Sequence, residues 1–305
     1  TSGLWAFAVP LMLGNVLQQL YNLADTWVVG KCIGNNALAA VGASYTLMIF
    51  LTSVIIGLCL GSSAFIAMAY GKKNTEKIKN GIFLSFAFTA LITVLLIVLF
   101  CAGLDTIIKW LRVPQETVSD MRIYLFYVFM GFFATFIYNY ISNLLRGLGN
   151  SVVPLFFLAL SVVLNIALDI LFVAGFQMGI AGAAVATVSG QIMAALIVMK
   201  KGFRKSPHRQ VYPHHIAKIF QLGIPNILMQ SAYTFYILGL NLILATFSDQ
   251  AVTALGLYYK WQTFFFIPLG AMQTCIVPVI SYNYAARNIE RCKKTLSASI
   301  VFGMS

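Results

Sequence analysis

The sequence predicts an all-α polytopic membrane protein made of two parallel six-helix repeats. It implies twelve helices when complete, of which about eight and a half fall within these 305 residues. Three observations predict this fold. The chain is 60% hydrophobic and only 9% charged, whereas soluble domains carry roughly 25% charged residues to cover their surface. Its apolar residues gather into runs long enough to cross a bilayer. The chain also resembles itself at a fixed offset.

About 20 apolar residues are needed to span the hydrocarbon core as a helix. Eight runs meet that length, over residues 4–29, 41–70, 81–104, 121–145, 152–175, 180–199, 217–247 and 252–284, and a ninth starts near Leu296. Lipid offers no partner for an open backbone group, so helices are the expected form of every run. Residues Asp105–Asp120 carry apolar side chains at helical spacing before Pro114. This predicts a short helix lying at the interface, with Trp110 at headgroup level.

Basic residues fix the predicted topology. Alternate loops hold Lys72, Lys73, Lys77 and Lys79, then Arg146, then Lys200 to Lys218, then Arg287, Arg291, Lys293 and Lys294, together 15 of the 20 Lys and Arg. Such loops face the cytoplasm by the positive-inside rule, so the N-terminus is expected inside. The formal charge of +12 therefore marks topology rather than a nucleic-acid surface. Five cysteines without a CxxC pair, and three histidines in one basic loop without acidic company, predict neither a disulfide framework nor a metal cluster. No Ser, His or Cys set suggests a nucleophilic enzyme. The chain opens at Thr1 without a basic leader, so its start is expected to be trimmed, and the repeat described next implies the same expectation for its end.

Shifted by 214 positions, Asn35–Gly42 lies over Asp249–Gly256, and Tyr70–Lys77 lies over Tyr284–Arg291; with one more residue of shift Pro10 meets Pro225. A repeat containing six spans enters the membrane in the same direction each time, a known transporter plan with substrate held between halves. The expected organisation is a lobe over 1–199, a basic cytoplasmic linker over 200–216 and an incomplete second lobe over 217–305.

An ionisable group inside a span costs at least about 2.5–3.5 kcal/mol and calls for a function. Two acids, Asp25 and Asp169, lie inside spans. Asn15, Gln18, Asn22 and Asp25 share one face of the first span, while Ser161, Asn165 and Asp169 share one face of the fifth. Counting about 1.5 Å per residue puts Asp25, Asp169 and Thr187 of the sixth span roughly 7–12 Å below the outer helix ends. Low dielectric favours the protonated form of a carboxyl, so such a pair can carry a proton. Its oxygen ligands equally suit a hard cation such as Na⁺. The asparagines alone would be read as interhelical hydrogen bonds. The seventh span has its own polar stripe, Asn226, Gln230, Tyr233 and Asn241, without an acid. Lys260 of the eighth either faces a cavity or snorkels to the interface.

Pro10-Leu-Met-Leu-Gly14 with Gln18-Gln-Leu-Tyr21-Asn22 and Asp25-Thr-Trp-Val-Val-Gly30 resembles the first helix of the MATE (multidrug and toxic compound extrusion) family. Ala39–Gly42, Leu145–Asn150, Asn165–Asp169, Gly182–Thr187 and Ser281–Tyr284 continue the resemblance in order. It implies a prokaryotic transporter of the DNA-damage-inducible type. The implied activity is export of cationic or amphipathic compounds in exchange for inward H⁺ or Na⁺, by alternating access between two lobes. No enzyme activity, cofactor or nucleic acid is implied, and a monomer in a bacterial or archaeal plasma membrane is expected. The family's cation site maps onto Asp25, Asn165, Asp169 and Thr187, which would be the Na⁺ ligands. A further family asparagine has Asn143 as its nearest match. Gln18, Asn22, Asn143, Gln230 and Lys260 are expected at the substrate cavity, with Pro10 as a hinge. Other branches carry a glutamate in the seventh span, where this chain has none. The rival readings are a lipid-linked oligosaccharide flippase of the same superfamily and a non-transporting membrane receptor.

Overall fold

The computed structural model describes residues 2–110, 115–202 and 213–304. Ten α-helices follow in order among them: α1 Ser2–Cys32, α2 Asn35–Gly71, α3 Thr75–Ala102, α4 Leu104–Trp110, α5 Gln115–Gly147, α6 Val152–Asp169, α7 Gly179–Gly202, α8 Pro213–Ala245, α9 Asp249–Ala285 and α10 Ile289–Met304. A π-helical segment, Ile170–Gly175, prolongs α6. The eight predicted runs correspond to α1, α2, α3, α5, α6 with its π-segment, α7, α8 and α9. Six helices contain a stretch apolar enough to cross a membrane among the described residues. The other two, α1 and α8, are long enough to cross at 31 and 33 residues.

Three boundaries differ from the sequence reading. The short interfacial helix is α4, and residues from Gln115 onward already belong to α5. Pro114, expected inside that connection, lies outside the described residues. The ninth helix starts at Ile289 rather than Leu296 because its first two turns are charged and amphipathic. The predicted linker 200–216 is flanked by helix on both sides, since α7 reaches Gly202 and α8 begins at Pro213; residues 203–212 lie outside the described residues.

The 214-residue repeat reappears as backbone. Helices α2 and α9 each have 37 residues, and both their ends are separated by that offset, as are the starts of α3 and α10. Pro10 and Pro225 both lie inside their helices. After α2 the chain turns through Lys73 at φ 54°, and after α9 through Arg287 at φ 60°. At the first turn the N–H of Asn74 donates to Ala69 O at 3.2 Å, and at the second Asn288 N–H donates to Asn283 O at 2.9 Å. The amide oxygens of Asn74 and Asn288 then accept from the N–H groups of Lys77 and Arg291. This is the usual left-handed helix ending followed by an Asn cap. The turn after α5 uses the same pattern, with Gly149 at φ 86° and Asn150 accepting from Val153 N–H. These three turns share one end of the bundle, called here the basic end because Lys72, Lys73, Arg146 and Arg287 lie there.

Helix α2 is the central column. Of its apolar stretch 72% is buried, against 22% for the peripheral α3, whose Leu91, Val94, Leu95, Val98 and Leu99 form an exposed apolar band. The core runs from Val28 and Val29 through Leu51, Ile55 and Ile66 to Phe129, Phe136 and Tyr140. Tyr140 hydroxyl is satisfied by Ser85 Oγ and Ile82 O, each at 2.7 Å, as a buried phenol requires. Helix α8 packs on α2, and α9 packs on both α1 and α2. The α2–α8 crossing rests on Gly57, Gly61 and Gly223: a Cβ at Gly223 would lie 2.7 Å from Gly57 O, and one at Gly61 2.7 Å from Gly223 N. Small residues at this spacing let helix backbones touch. Nearer the basic end the rings of Tyr70 and Tyr282 meet at 5.5 Å, those of Phe65 and His215 at 5.1 Å, and those of Trp5 and Phe302 at 5.1 Å.

Candidate functional site

Helix α1 carries the polar residues Asn15, Gln18, Asn22 and Asp25. Asp25 is buried, Asn22 is half-buried and Gln18 is exposed. Helix α1 packs chiefly on α6 and α9 and also touches α7; α6 and α7 supply the other expected residues. Asp169 is 1% exposed, Asn165 4% and Thr187 8%. The hydroxyl of Tyr21, one turn before Asp25, donates to Thr187 Oγ1 at 3.4 Å, and that hydroxyl donates to Ala183 O at 3.0 Å. Asp25 and Asp169 lie within electrostatic reach of each other. Tyr21 and Tyr124 lie within reach of both.

Two features of the backbone bring these groups together. Gly190 leaves room for Asn165: a Cβ there would sit 3.2 Å from the Asn165 Cβ, so α7 and α6 lie close. Ser161 Oγ donates to Gly190 O at 3.3 Å across the same contact. Directly after Asp169 the helix widens into its π-segment, where Phe176 N–H donates to Leu171 O at 2.8 Å, five residues back. Such widened turns often accompany functional side chains because they alter the helix register locally.

The structure thus gathers Asp25, Asn165, Asp169 and Thr187 into one neighbourhood near the end of the bundle opposite the basic end. It adds Tyr21 and Tyr124, which the sequence reading did not select. Tyr21 had a legible signal, since it stands four residues before Asp25 and shares its face. Tyr124 had none, because an aromatic residue in an apolar run reads as lipid-facing or core.

Asn143 is not brought to this group. It lies four residues before the end of α5 and 19 after Tyr124, about 28 Å along the helix axis. Its amide donates to Asn139 O at 2.9 Å, and the residue is 2% exposed. Asn143 matches the family asparagine in residue type, but its place on α5 is at a different depth from Asp25 and Asp169. Gln230 is half-buried on α8, and its neighbour Asn226 accepts from Gln273 of α9 at 3.5 Å. Asn15 turns toward α9 rather than α7, since a Cβ on Gly270 would lie 3.9 Å from its amide nitrogen. The side chains of Lys260 and Asn241 lie outside the described residues. Helix α1 continues through Pro10.

A second, aromatic cluster was also not foreseen. Tyr45 of α2, Tyr233 and Tyr236 of α8, and Tyr258 and Tyr259 of α9 lie together. Tyr45, Tyr236 and Tyr258 are 51%, 53% and 57% exposed. Each lies about 14–15 Å from the end of its helix opposite the basic end, a depth similar to that of Asp25.

A neutral tyrosine face presents negative π density. Two carboxyls with amide and hydroxyl oxygens offer hard ligands for Na⁺ or sites for a proton. The two surfaces can therefore serve different cations.

The comparisons with known proteins agree with this architecture. The sequence model of the MatE family matches residues 10–171 and 225–305. The probable multidrug resistance protein YpnP of Bacillus subtilis is 31% identical over 93% of this chain and 65% of its own length. The multidrug export protein MepA of Staphylococcus saprophyticus is 26% identical over 92% of this chain and 64% of its own. The chain thus spans slightly less than two thirds of the length of these relatives. Among solved structures, an outward-facing multidrug resistance MATE transporter superposes with a TM-score of 0.90 at 23% identity, covering 98% of this chain and 68% of that one. A transporter of the wider superfamily from Pyrococcus furiosus does so equally well. With its repeat, its multi-pass helical fold and most of its length matched by the family model, the chain belongs to the MatE family of membrane transporters.

Proposed function

We propose that the protein works as a secondary active multidrug antiporter, exporting cationic or amphipathic compounds in exchange for inward H⁺ or Na⁺. The observation that carries this reading is the meeting of Asp25 and Asp169 with Tyr21 and Thr187 inside one helical bundle. A costly pair of acids at one depth is best explained by reversible loading with a cation. The basic end is assigned to the cytoplasm and the acid pair to the outer half, so the pair would be loaded from outside. Loading changes what α1 packs against, and α1 also touches α9 through Ala8, Leu11, Ala271 and Cys275. Cation binding in the first lobe can therefore alter the contact between lobes, here 1–199 and 217–305, which is the requirement for alternating access. The relatives named as multidrug proteins support the same reading.

Tyr45, Tyr236 and Tyr258 would form the face that receives the organic cation. Cation–π contact contributes about 1 kcal/mol per ring at partly wetted sites. Tyr236→Ala should accordingly raise the apparent KM for ethidium roughly fivefold with little change in maximal rate.

The test is ethidium efflux from proteoliposomes under an imposed proton gradient, a sodium gradient, both, or neither. Efflux driven by at least one gradient is expected. Efflux indifferent to both gradients would remove the antiport reading.

A further inference from the structure

We infer that the protein has a second site, at its basic end, for a phosphate group carried on an amphiphile, with anionic phospholipid as the fitting source. A cavity of about 840 Å³ opens there between α1, α2, the turn after α5, α9 and α10. Its size is that of a pocket for a sizeable organic ligand. It lies at the end of the bundle opposite Asp25 and Asp169, so its proposed occupant is independent of the coupling pair.

The charged residues lining this cavity are all basic: Arg146, Arg291 and Lys294. Arg146 is the informative one. Its Nε is enclosed by protein and has no hydrogen-bond partner among the described residues. A guanidinium nitrogen shut away from water without a partner is a costly arrangement, and a bound anion would relieve it. The planar guanidinium fork suits two phosphate oxygens at once. Arg291 and Lys294 stand on consecutive turns of α10 at the rim. Lys294 pairs at 2.7 Å with Glu290, but both side chains are at least three-quarters exposed. That exposed pair is weakly held and can open to an incoming anion.

The rest of the lining says what carries the phosphate. Phe7, Leu148, Pro278 and Val279 are apolar, and the tilted rings of Tyr70 and Tyr282 meet at 5.5 Å beside them. Thr295 and Ser297 add hydroxyls. Cationic groups beside an apolar wall, at the level where basic loops meet the membrane, match a headgroup phosphate with the first part of its acyl chains. Because the walls come from both lobes, an occupant would touch α5 and α10 together and so favour the arrangement in which they face each other.

The experiment reads binding, not transport. The intact protein is purified, equilibrated with equal amounts of phosphatidylcholine and phosphatidylglycerol, and its retained lipids are counted by native mass spectrometry. Thermal unfolding is followed in parallel with inorganic phosphate against chloride at matched ionic strength. Phosphatidylglycerol should be retained about tenfold over phosphatidylcholine. The doubly substituted R291Q/K294Q protein, altered only on the exposed rim, should lose most of that preference, and Arg146→Gln should lose it too. Stabilisation by inorganic phosphate without lipid preference keeps the site and assigns it to a soluble phosphate compound. Equal retention of both lipids with no phosphate effect overturns the proposal, as does a preference that survives both R146Q and R291Q/K294Q.

Discussion

Asp169→Asn is expected to reduce gradient-driven efflux by about tenfold or more while the protein remains as stable as before. The two expectations have one cause. Asp169 is almost fully enclosed, at 1% exposure, in a part of the bundle where a charge costs about 2.5–3.5 kcal/mol or more. Asparagine keeps the size and one carbonyl oxygen but carries no charge and no exchangeable acidic proton. The change therefore removes an electrostatic burden and leaves the packing of α6 against α7 in place. What disappears is the difference in cation affinity between two conformations, and a ligand moves an equilibrium only by that difference. Asp25→Asn should behave the same way, and the double variant should be no worse than either alone, because both act through one loaded site. The measurement pairs ethidium efflux in proteoliposomes with the thermal midpoint of the purified protein. An Asp169→Asn protein that pumps at the normal rate would end the coupling role. One that loses efflux and stability together would make Asp169 a structural group. Asp169→Glu restores the acid on a longer arm and should recover part of the activity.

Much of this arrangement was legible in the sequence, and the reasons are specific. Hydropathy locates helices well because lipid admits no alternative backbone form, so the eight runs became eight long helices. The repeat was legible because α2 and α9 share turn chemistry as well as length: Asn74 and Asn288 cap, while Lys73 and Arg287 take the left-handed turn. Asp25, Asp169 and Thr187 could be brought to one depth by counting residues, since helices keep a fixed rise. Counting fails where the answer depends on facing. Asn15 shares a stripe with Asp25 yet turns to α9, and Asn143 was taken by similarity of type without its depth. Nothing in Ile170–Gly175 announces a π-segment, and the partners of Phe172 O, the Met178 N–H and the close-lying Gly182, come from beyond it. The Tyr45–Tyr236–Tyr258 cluster joins three helices from both lobes, and no single helix reveals it. The α2–α8 crossing was not foreseen either, since Gly223 stands 162 positions beyond Gly61 and only the fold brings them together.

Gly61→Val should have the second large effect, by forcing α2 and α8 apart. A Cβ at residue 61 would lie 2.7 Å from Gly223 N and nearer still to Ile219 O. Both are backbone atoms of α8, so no rotamer change relieves the clash. By contrast, a Cβ at Gly57 meets chiefly the Ile227 side chain, which can turn aside. Overfilling a packed contact costs about 1–3 kcal/mol, and here the strain falls in the arrangement where α2 and α8 cross closely. An arrangement with the helices parted would escape it. A bias of that size shifts a two-state equilibrium by roughly 5- to 150-fold, enough to hold a transporter on one side of its cycle. Spin labels at Lys72 and Ala286, the equivalent positions of the two repeated turns, would report the change as a longer distance between them. Efflux should fall about tenfold, since a cycle held in one state cannot turn over. Gly42→Val on the same helix is the control, because nothing lies within 4 Å of a Cβ there. If Gly61→Val leaves both the distance and the efflux unchanged, the α2–α8 crossing is ordinary packing and the lobes must part elsewhere.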